Sequence, residues 1–170
     1  MDKTAADTTH QKHASPVDDM LDMRDVLSSI RDQLVDMKTG AAGMAAFVKD
    51  DMCKTATQVV IDGANLGDLI RVFHQCTDVP AYAKEAAVAV RDYLLERGIT
   101  QEDWYQLKTA HVTGRVNDSH PLVAQFSAFV KAARALKIVD GALSNVQDRI
   151  RDVNRAVVRS VNDAPLNHRG

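Results

Sequence analysis

Aromatic residues are scarce in this sequence: Phe, Trp and Tyr together account for 5% of the 170 residues. Alanine, valine and leucine dominate an apolar fraction of 45%. Small aliphatic side chains suit helix-on-helix packing better than the interior of a β-sandwich or barrel. The composition therefore favours a helical fold, and the chain is long enough to bury a core of its own.

Cysteine is scarce as well, with only Cys53 and Cys76, which do not have the spacing of a CxxC motif. Two cysteines in a chain of this length do not make a disulfide framework. We expect small buried or half-buried thiols. A single disulfide between the two cysteines remains an alternative if the protein works outside a cell. The six histidines form no HExxH motif and no zinc-finger spacing with cysteine, and phosphate-binding glycine motifs are missing. We therefore expect no metal, no cofactor and no enzyme.

Neither sign of charge is in clear excess, because 21 Lys and Arg stand against 23 Asp and Glu, for a net charge of −2. Such a chain has no strong field for nucleic acid or an anionic membrane. No apolar run reaches the roughly 18 residues of a membrane span. The first residues also lack the basic start and apolar stretch of a secretory signal peptide. We expect no nucleic-acid partner and no membrane span.

Two stretches of apolar residues are present instead, and both alternate three and four residues apart, which is typical of a helix packed along another helix. The N-terminal stretch is Met20, Met23, Leu27, Ile30, Leu34, Met37, Ala41, Met44 and Val48. The C-terminal stretch runs from Leu122 to Val161, and its regular part is Leu136, Val139, Leu143, Val146, Ile150, Val153 and Val157. We predict that the two stretches form the seams of an antiparallel coiled coil. Their residues, apart from Ala41, are the candidate interaction residues.

The fold class predicted from these stretches is all-α, with two long heptad-patterned helices around a small helical middle subdomain. We predict a disordered tail over residues 1–16, one helical domain over 17–162 and a polar tail over 163–170. Within the domain we predict a long helix at 17–54, short helices within 64–110, and a second long helix at 121–162.

Local signals place the ends of these helices. Ser15 is a good N-cap before Pro16, and Pro121 opens the second long helix. Gly98 fits the position just after a helix that begins near Ala81. The tract Gly40-Ala41-Ala42-Gly43 is either a hinge or a point of close approach for a neighbouring backbone.

A short motif in the middle resembles a known enzyme family. Val59-Val60-Ile61-Asp62-Gly63-Ala64-Asn65-Leu66 is similar to the opening strand and loop of metal-dependent ribonucleases of the NYN/PIN type, and Tyr93 to Thr100 resembles the helix end that follows there. The resemblance implies a metal-binding role for Asp62. The alternative is a plain loop into a helix that begins near Asn65, because Asp, Gly and Asn favour turns and caps.

The layout of the whole chain resembles another family. A polar N-terminal tail, a long heptad helix, an irregular middle and a C-terminal heptad helix are also the outline of type III secretion filament and translocon proteins of pathogenic bacteria. Further similar segments are Val79-Pro80, Gly98-Ile99, Glu102-Asp103-Trp104-Tyr105 and Ala142-Leu143-Ser144-Asn145-Val146-Gln147. The resemblance implies a secreted protein without a Sec signal peptide; without it, a cytoplasmic protein is expected.

The lengths of the two stretches predict self-association. As helix, Met20 to Val48 spans about 42 Å and Leu122 to Val161 nearly 60 Å, so the longer one overhangs by roughly 15 Å. An uncovered apolar stripe marks a partner site. We therefore expect an interaction or assembly protein that binds itself or a helical partner through its C-terminal third. The alternatives are the nuclease and a helical secretion chaperone or adaptor.

Overall fold

The computed structural model describes residues 14–61, 66–98 and 120–165, apart from the side chains at 60, 61, 66–68 and 70. This part of the chain holds the helices α1 (Pro16–Ile61), α2 (Leu66–Gln75), α3 (Pro80–Leu95) and α4 (Pro121–Asn162). It contains no strand, and α1 and α4 pack extensively, which confirms the predicted all-α fold with two long helices.

The start of α1 is fixed by a reciprocal cap. The Asp18 backbone N–H donates to Ser15 Oγ at 3.2 Å, while the Ser15 backbone N–H donates to Asp18 Oδ2, also at 3.2 Å. These bonds satisfy two donors that would otherwise have no partner at a helix start. Pro16 takes the first helical position, as predicted.

The end of α1 differs from the prediction, because the helix runs to Ile61 rather than to residue 54. Val59, Val60 and Ile61 are therefore helical and not a strand. The reason is packing: Met52, Cys53 and Ala56 are buried on one face of this last part of the helix. Burial of such a face outweighs the preference of β-branched residues for strands, which depends on having a partner strand.

The chain divides into two compact units. Unit 1 combines residues 1–35 with 142–170, and unit 2 is residues 36–141. The described part of unit 1 consists of the beginning of α1 and the end of α4. Within unit 2, Lys38 near the start of its α1 segment pairs with Asp140 near the end of its α4 segment. Met52 and Ala56, further along α1, share a core with Leu122 and Phe126 near the start of α4, so the two helices run antiparallel.

Unit 2 contains a hydrophobic core to which α1, α2, α3 and α4 all contribute. Its centre is aromatic: the ring centroids of Phe73 and Phe126 lie 5.0 Å apart, and those of Phe126 and Phe129 lie 6.2 Å apart. The buried members are Met52, Cys53, Ala56, Leu69, Val72, Phe73, Ala83, Ala86, Val90, Leu94, Leu122, Phe126, Phe129 and Val130.

The ends of α3 and α4 follow local rules. Val79 is extended before Pro80, and its N–H donates to Thr77 Oγ1 at 3.1 Å, so α3 begins at the proline. Gly98 has a φ of 94°, a left-handed conformation that favours glycine after a helix. At the start of α4, the Leu122 N–H donates to His120 Nδ1 at 3.2 Å.

Several predictions lie outside the described residues. They are the disordered tail up to residue 13, the metal role of Asp62, the helix start near Asn65, the part of the short helices that was predicted beyond residue 98, and the last five residues of the polar tail.

Candidate interaction surfaces

The seam of unit 1 is the set of side chains that the two helices cover for each other. On α1 the half-buried side chains include a regular series at Val17, Met20, Arg24, Leu27, Arg31 and Leu34; Leu21 and Ser28, which follow two of these positions, are half-buried as well. On α4 the corresponding set is Leu143, Val146, Ile150, Val153, Val157 and Ser160, with Leu143 buried and the others half-buried. Both sets alternate three and four residues apart, which is the spacing of a helix pair.

On α4 the predicted interaction residues all lie in covered positions. Leu143, Val146, Ile150, Val153 and Val157 belong to the seam of unit 1. In unit 2, Leu136 and Val139 are half-buried.

On α1 only every second predicted residue is covered. Met20, Leu27 and Leu34 are half-buried in unit 1, and Val48 is half-buried in unit 2. The residues predicted between them lie at the surface instead: Met23, Ile30, Met37 and Met44 are 57%, 40%, 57% and 58% exposed.

In unit 1 the prediction put Met23 and Ile30 in the seam. The half-buried side chains are instead those of the residues that follow them, Arg24 and Arg31. An arginine can lay its aliphatic stem along such a seam while its guanidinium group reaches water. Each guanidinium group also bonds to the aspartate that follows it: the Arg24 Nη2 to Asp25 Oδ1 distance is 2.9 Å, and that from Arg31 Nη2 to Asp32 Oδ1 is 2.7 Å.

All but one of the large exposed apolar side chains described on α1 follow one pattern, and we call these residues the stripe; the exception is Val35, which is 43% exposed and follows Leu34. In unit 1 the stripe is Met23, Val26 and Ile30; in unit 2 it is Met37, Met44 and Phe47. Each stripe residue immediately precedes a position of the three-and-four series that begins at Val17. A step of one residue turns a helix by about 100°, so the stripe lies beside the covered face and not on it. Phe47, at 69% exposure, and Val26, at 60%, are its most exposed members.

A second surface in unit 2 is an open groove of about 520 Å³ between α1, α3 and α4. Its apolar part contains Tyr82, Phe129 and Leu136 together with several alanines, and its charged residues are Lys49, Glu85, Lys137 and Asp140. Asp140 also forms an ion pair with Lys38 at 2.7 Å. On α1 the groove is lined by Ala42, Ala45, Ala46 and Lys49, so the stripe residues of unit 2 take no part in it.

The buried thiol of unit 2 is a poor nucleophile. Cys53 is 3% exposed, and burial is the main cause that raises its pKa from 9.0 to about 11. Asp50 raises the pKa further, while Lys49 and Arg97 lower it. At neutral pH only about one such thiol in ten thousand is a thiolate, the form that reacts. Cys53 and Cys76 do not form a disulfide: the first is buried and the second exposed.

Residues 14–61, 66–98 and 120–165 contain no group of three or more His, Cys, Asp or Glu side chains that could hold a metal ion. None of the helices in these ranges is both long and apolar enough to cross a membrane.

Comparisons with known proteins do not assign the chain to a family: no family model, curated protein or solved structure matches it.

Proposed function

We propose that this protein is a non-enzymatic helical interaction or assembly protein, and that the stripe of α1 is its docking surface. The observation that carries the proposal is found within each unit: Met23 and Ile30 of unit 1 lie seven residues apart and are 57% and 40% exposed, and Met37 and Met44 of unit 2 lie seven residues apart and are 57% and 58% exposed. Scattered apolar residues on a surface are ordinary, but a row at heptad spacing is the pattern that a second helix reads.

The chemistry of the stripe fits a protein partner. Three of its six members are methionines, whose unbranched side chains repack against differently shaped surfaces. Phe47 adds an aromatic side chain of the kind that dominates contact energies at interfaces.

We propose the stripe of α1 as the docking surface in place of the C-terminal third, which the sequence analysis favoured. α1 has 46 residues and α4 has 42, so the two helices are about 69 Å and 63 Å long, and their lengths alone do not favour α4 as the partner site. In unit 1 most apolar residues of α4 lie in the seam, whereas the stripe residues of α1 lie outside it.

The nuclease alternative receives less support. The residues that would form its first strand, Val59 to Ile61, belong to α1. A secreted filament or translocon subunit is the particular assembly protein that we propose, on the resemblance of the chain's layout; a secretion chaperone would use the same kind of surface.

The test compares the immobilised wild type with a variant in which all six stripe residues are changed to glutamine. The matched control is Val158→Gln with Val161→Gln, two valines of α4 that are 58% and 59% exposed. We expect the immobilised wild type and the immobilised control to bind a helical protein or further copies of the chain itself. The immobilised stripe variant should not bind them. Equal retention by all three would contradict the proposal.

A further inference from the structure

Unit 1 is a pair of helices with two open sides in its described part, and the stripe residues Met23, Val26 and Ile30 lie on one of them. Packed helices ordinarily form at least two layers, because one layer leaves an apolar side in water. The covering layer for this side must come from elsewhere, and its chemistry can be inferred from the two helices themselves.

The α4 side of the same surface is lined partly by small residues. In an antiparallel pair, residues that precede the seam positions of both helices lie on the same side of the pair. On α4 these residues include Ala142 and Ala156, which precede Leu143 and Val157. The surface therefore has large apolar side chains along α1, and along α4 two alanines at positions that alternate with the polar residues Asn145, Arg149, Asp152 and Arg159. A copy of it, turned by a twofold axis so that α1 lies over α4, places large residues against small ones, which is how helix layers interdigitate.

Charge favours the same arrangement. Among the residues that precede seam positions, and so lie on the stripe side, the charged ones are Asp19 on α1 and Arg149, Asp152 and Arg159 on α4. The two helix segments as wholes differ in sign as well. The α1 part of unit 1, residues 16–35, carries five aspartates and two arginines, for a net charge of −3. The α4 part, residues 142–162, carries four arginines and two aspartates, for a net charge of +2. Two copies of the α1 part would repel each other, whereas the α1 part of one copy attracts the α4 part of another.

We infer that the partner of this surface is a second copy of the chain. The unit 1 pairs of two copies stack as a four-helix bundle, with α1 of each copy against α4 of the other. This inference rests on the proposed function and names the partner for the unit 1 part of the stripe.

The test is sedimentation equilibrium of the full chain over a wide range of protein concentration and at low and high salt. We expect a monomer–dimer equilibrium that weakens as salt is added, because the helices that meet carry opposite charge. A dimer that tightens with salt would place like-charged helices together and would overturn the arrangement.

Variants locate the interface. Met23→Glu and Ile30→Glu should each raise the dissociation constant by about tenfold or more. Val158→Glu is the control, because Val158 is as exposed as Met23 (58% and 57%) but follows its seam residue instead of preceding it, and so lies on the other side of the pair. It should change the constant by about twofold at most. Circular dichroism checks each fold, and Met23→Gln and Ile30→Gln replace any variant that loses helix.

Two outcomes separate this inference from the proposed function. Dimers that are insensitive to Met23→Glu and Ile30→Glu, or a chain that stays monomeric at all concentrations, would overturn the inference. The proposed function would then still be decided by the retention experiment, which also detects partners other than the chain itself.

Discussion

The two units use the same two helices in different ways. In the described part of unit 2, fourteen apolar side chains from four helices are buried in one cluster. In the described part of unit 1 the only buried side chain is Leu143, at 8% exposure, and the seam includes two arginines. Buried apolar area is the main source of stability. The described part of unit 1 therefore buries much less apolar area than that of unit 2, and we expect it to contribute less to stability.

The largest expected effect is in the core of unit 2. Phe126→Ala should lower the free energy of unfolding by about 3–5 kcal/mol, because it removes a fully buried ring and leaves a cavity. The counterpart in unit 1, Leu143→Ala, should cost about 2 kcal/mol, the lower end for a leucine, since its surroundings are more open. Denaturant unfolding followed by circular dichroism measures both. Equal costs would erase the contrast between the units.

The buried thiol of unit 2 should make the free energy of unfolding depend on pH. Because the pKa of Cys53 is raised to about 11 in the folded state, folding keeps its proton while the unfolded chain loses it near pH 9. The resulting stability is complete below pH 9 and disappears as the pH rises to 11, a loss of up to about 3 kcal/mol.

The measurement is the pH dependence of the free energy of unfolding for the wild type and for Cys53→Ala. The loss between pH 9 and 11 should be smaller in the variant. Cys76→Ala, which removes an exposed thiol, should keep the wild-type profile. Parallel profiles for the wild type and Cys53→Ala would show that the thiol is not closed off in the core.

A charge in the seam of unit 1 should have a smaller effect. Ile150→Asp places a carboxylate at a half-buried position and should cost about 2 kcal/mol. Arg155→Asp, on the exposed side of the same helix, should cost less than about 0.5 kcal/mol. Thermal melting of the two variants compares them, and equal shifts would contradict the seam assignment.

The smallest effect is a gain. Arg31→Leu should raise the free energy of unfolding by about 1 kcal/mol, because an apolar side chain replaces the stem of a seam arginine. The ion pair lost with Asp32 is partly exposed and is worth little. Arg155→Leu, away from the seam, should give no gain. A loss at Arg31 would show that the arginine fixes the register of the pair instead of weakening it.

The covered residues of the two long helices could be predicted from the sequence with different success. On α4 the regular part of the apolar series, from Leu136 to Val157, follows one register, so the pattern alone identified the covered residues. On α1 two registers overlap and share Met20, Leu27 and Leu34. Apolarity favours Met23 and Ile30 between them, whereas the fold covers the stems of Arg24 and Arg31. The partner helix decides that choice, and the pattern of one helix contains no information about it.

Other features could not be predicted from the sequence because they depend on tertiary contacts. The extension of α1 to Ile61 depends on the core that Met52 and Ala56 enter, which includes α2 and α3. The groove exists because Val79 and Tyr82 come close to alanines of α1 that are more than thirty residues away in sequence. By contrast, the cap at Ser15, the proline starts of α3 and α4, and the glycine after α3 are local and were readable directly.

The pairing of distant segments in unit 1 has a consequence for the order in which the protein forms. At least 106 residues, 36–141, are synthesised between the two parts of this unit. At ribosomal rates of about 5–20 residues per second, the first part of α1 waits on the order of 5–20 s for its partner helix. During that delay Met20, Leu27 and Leu34 have no cover, and the five aspartates among residues 16–35 are what oppose aggregation. We therefore expect the acidity of this segment to limit aggregation of the nascent chain.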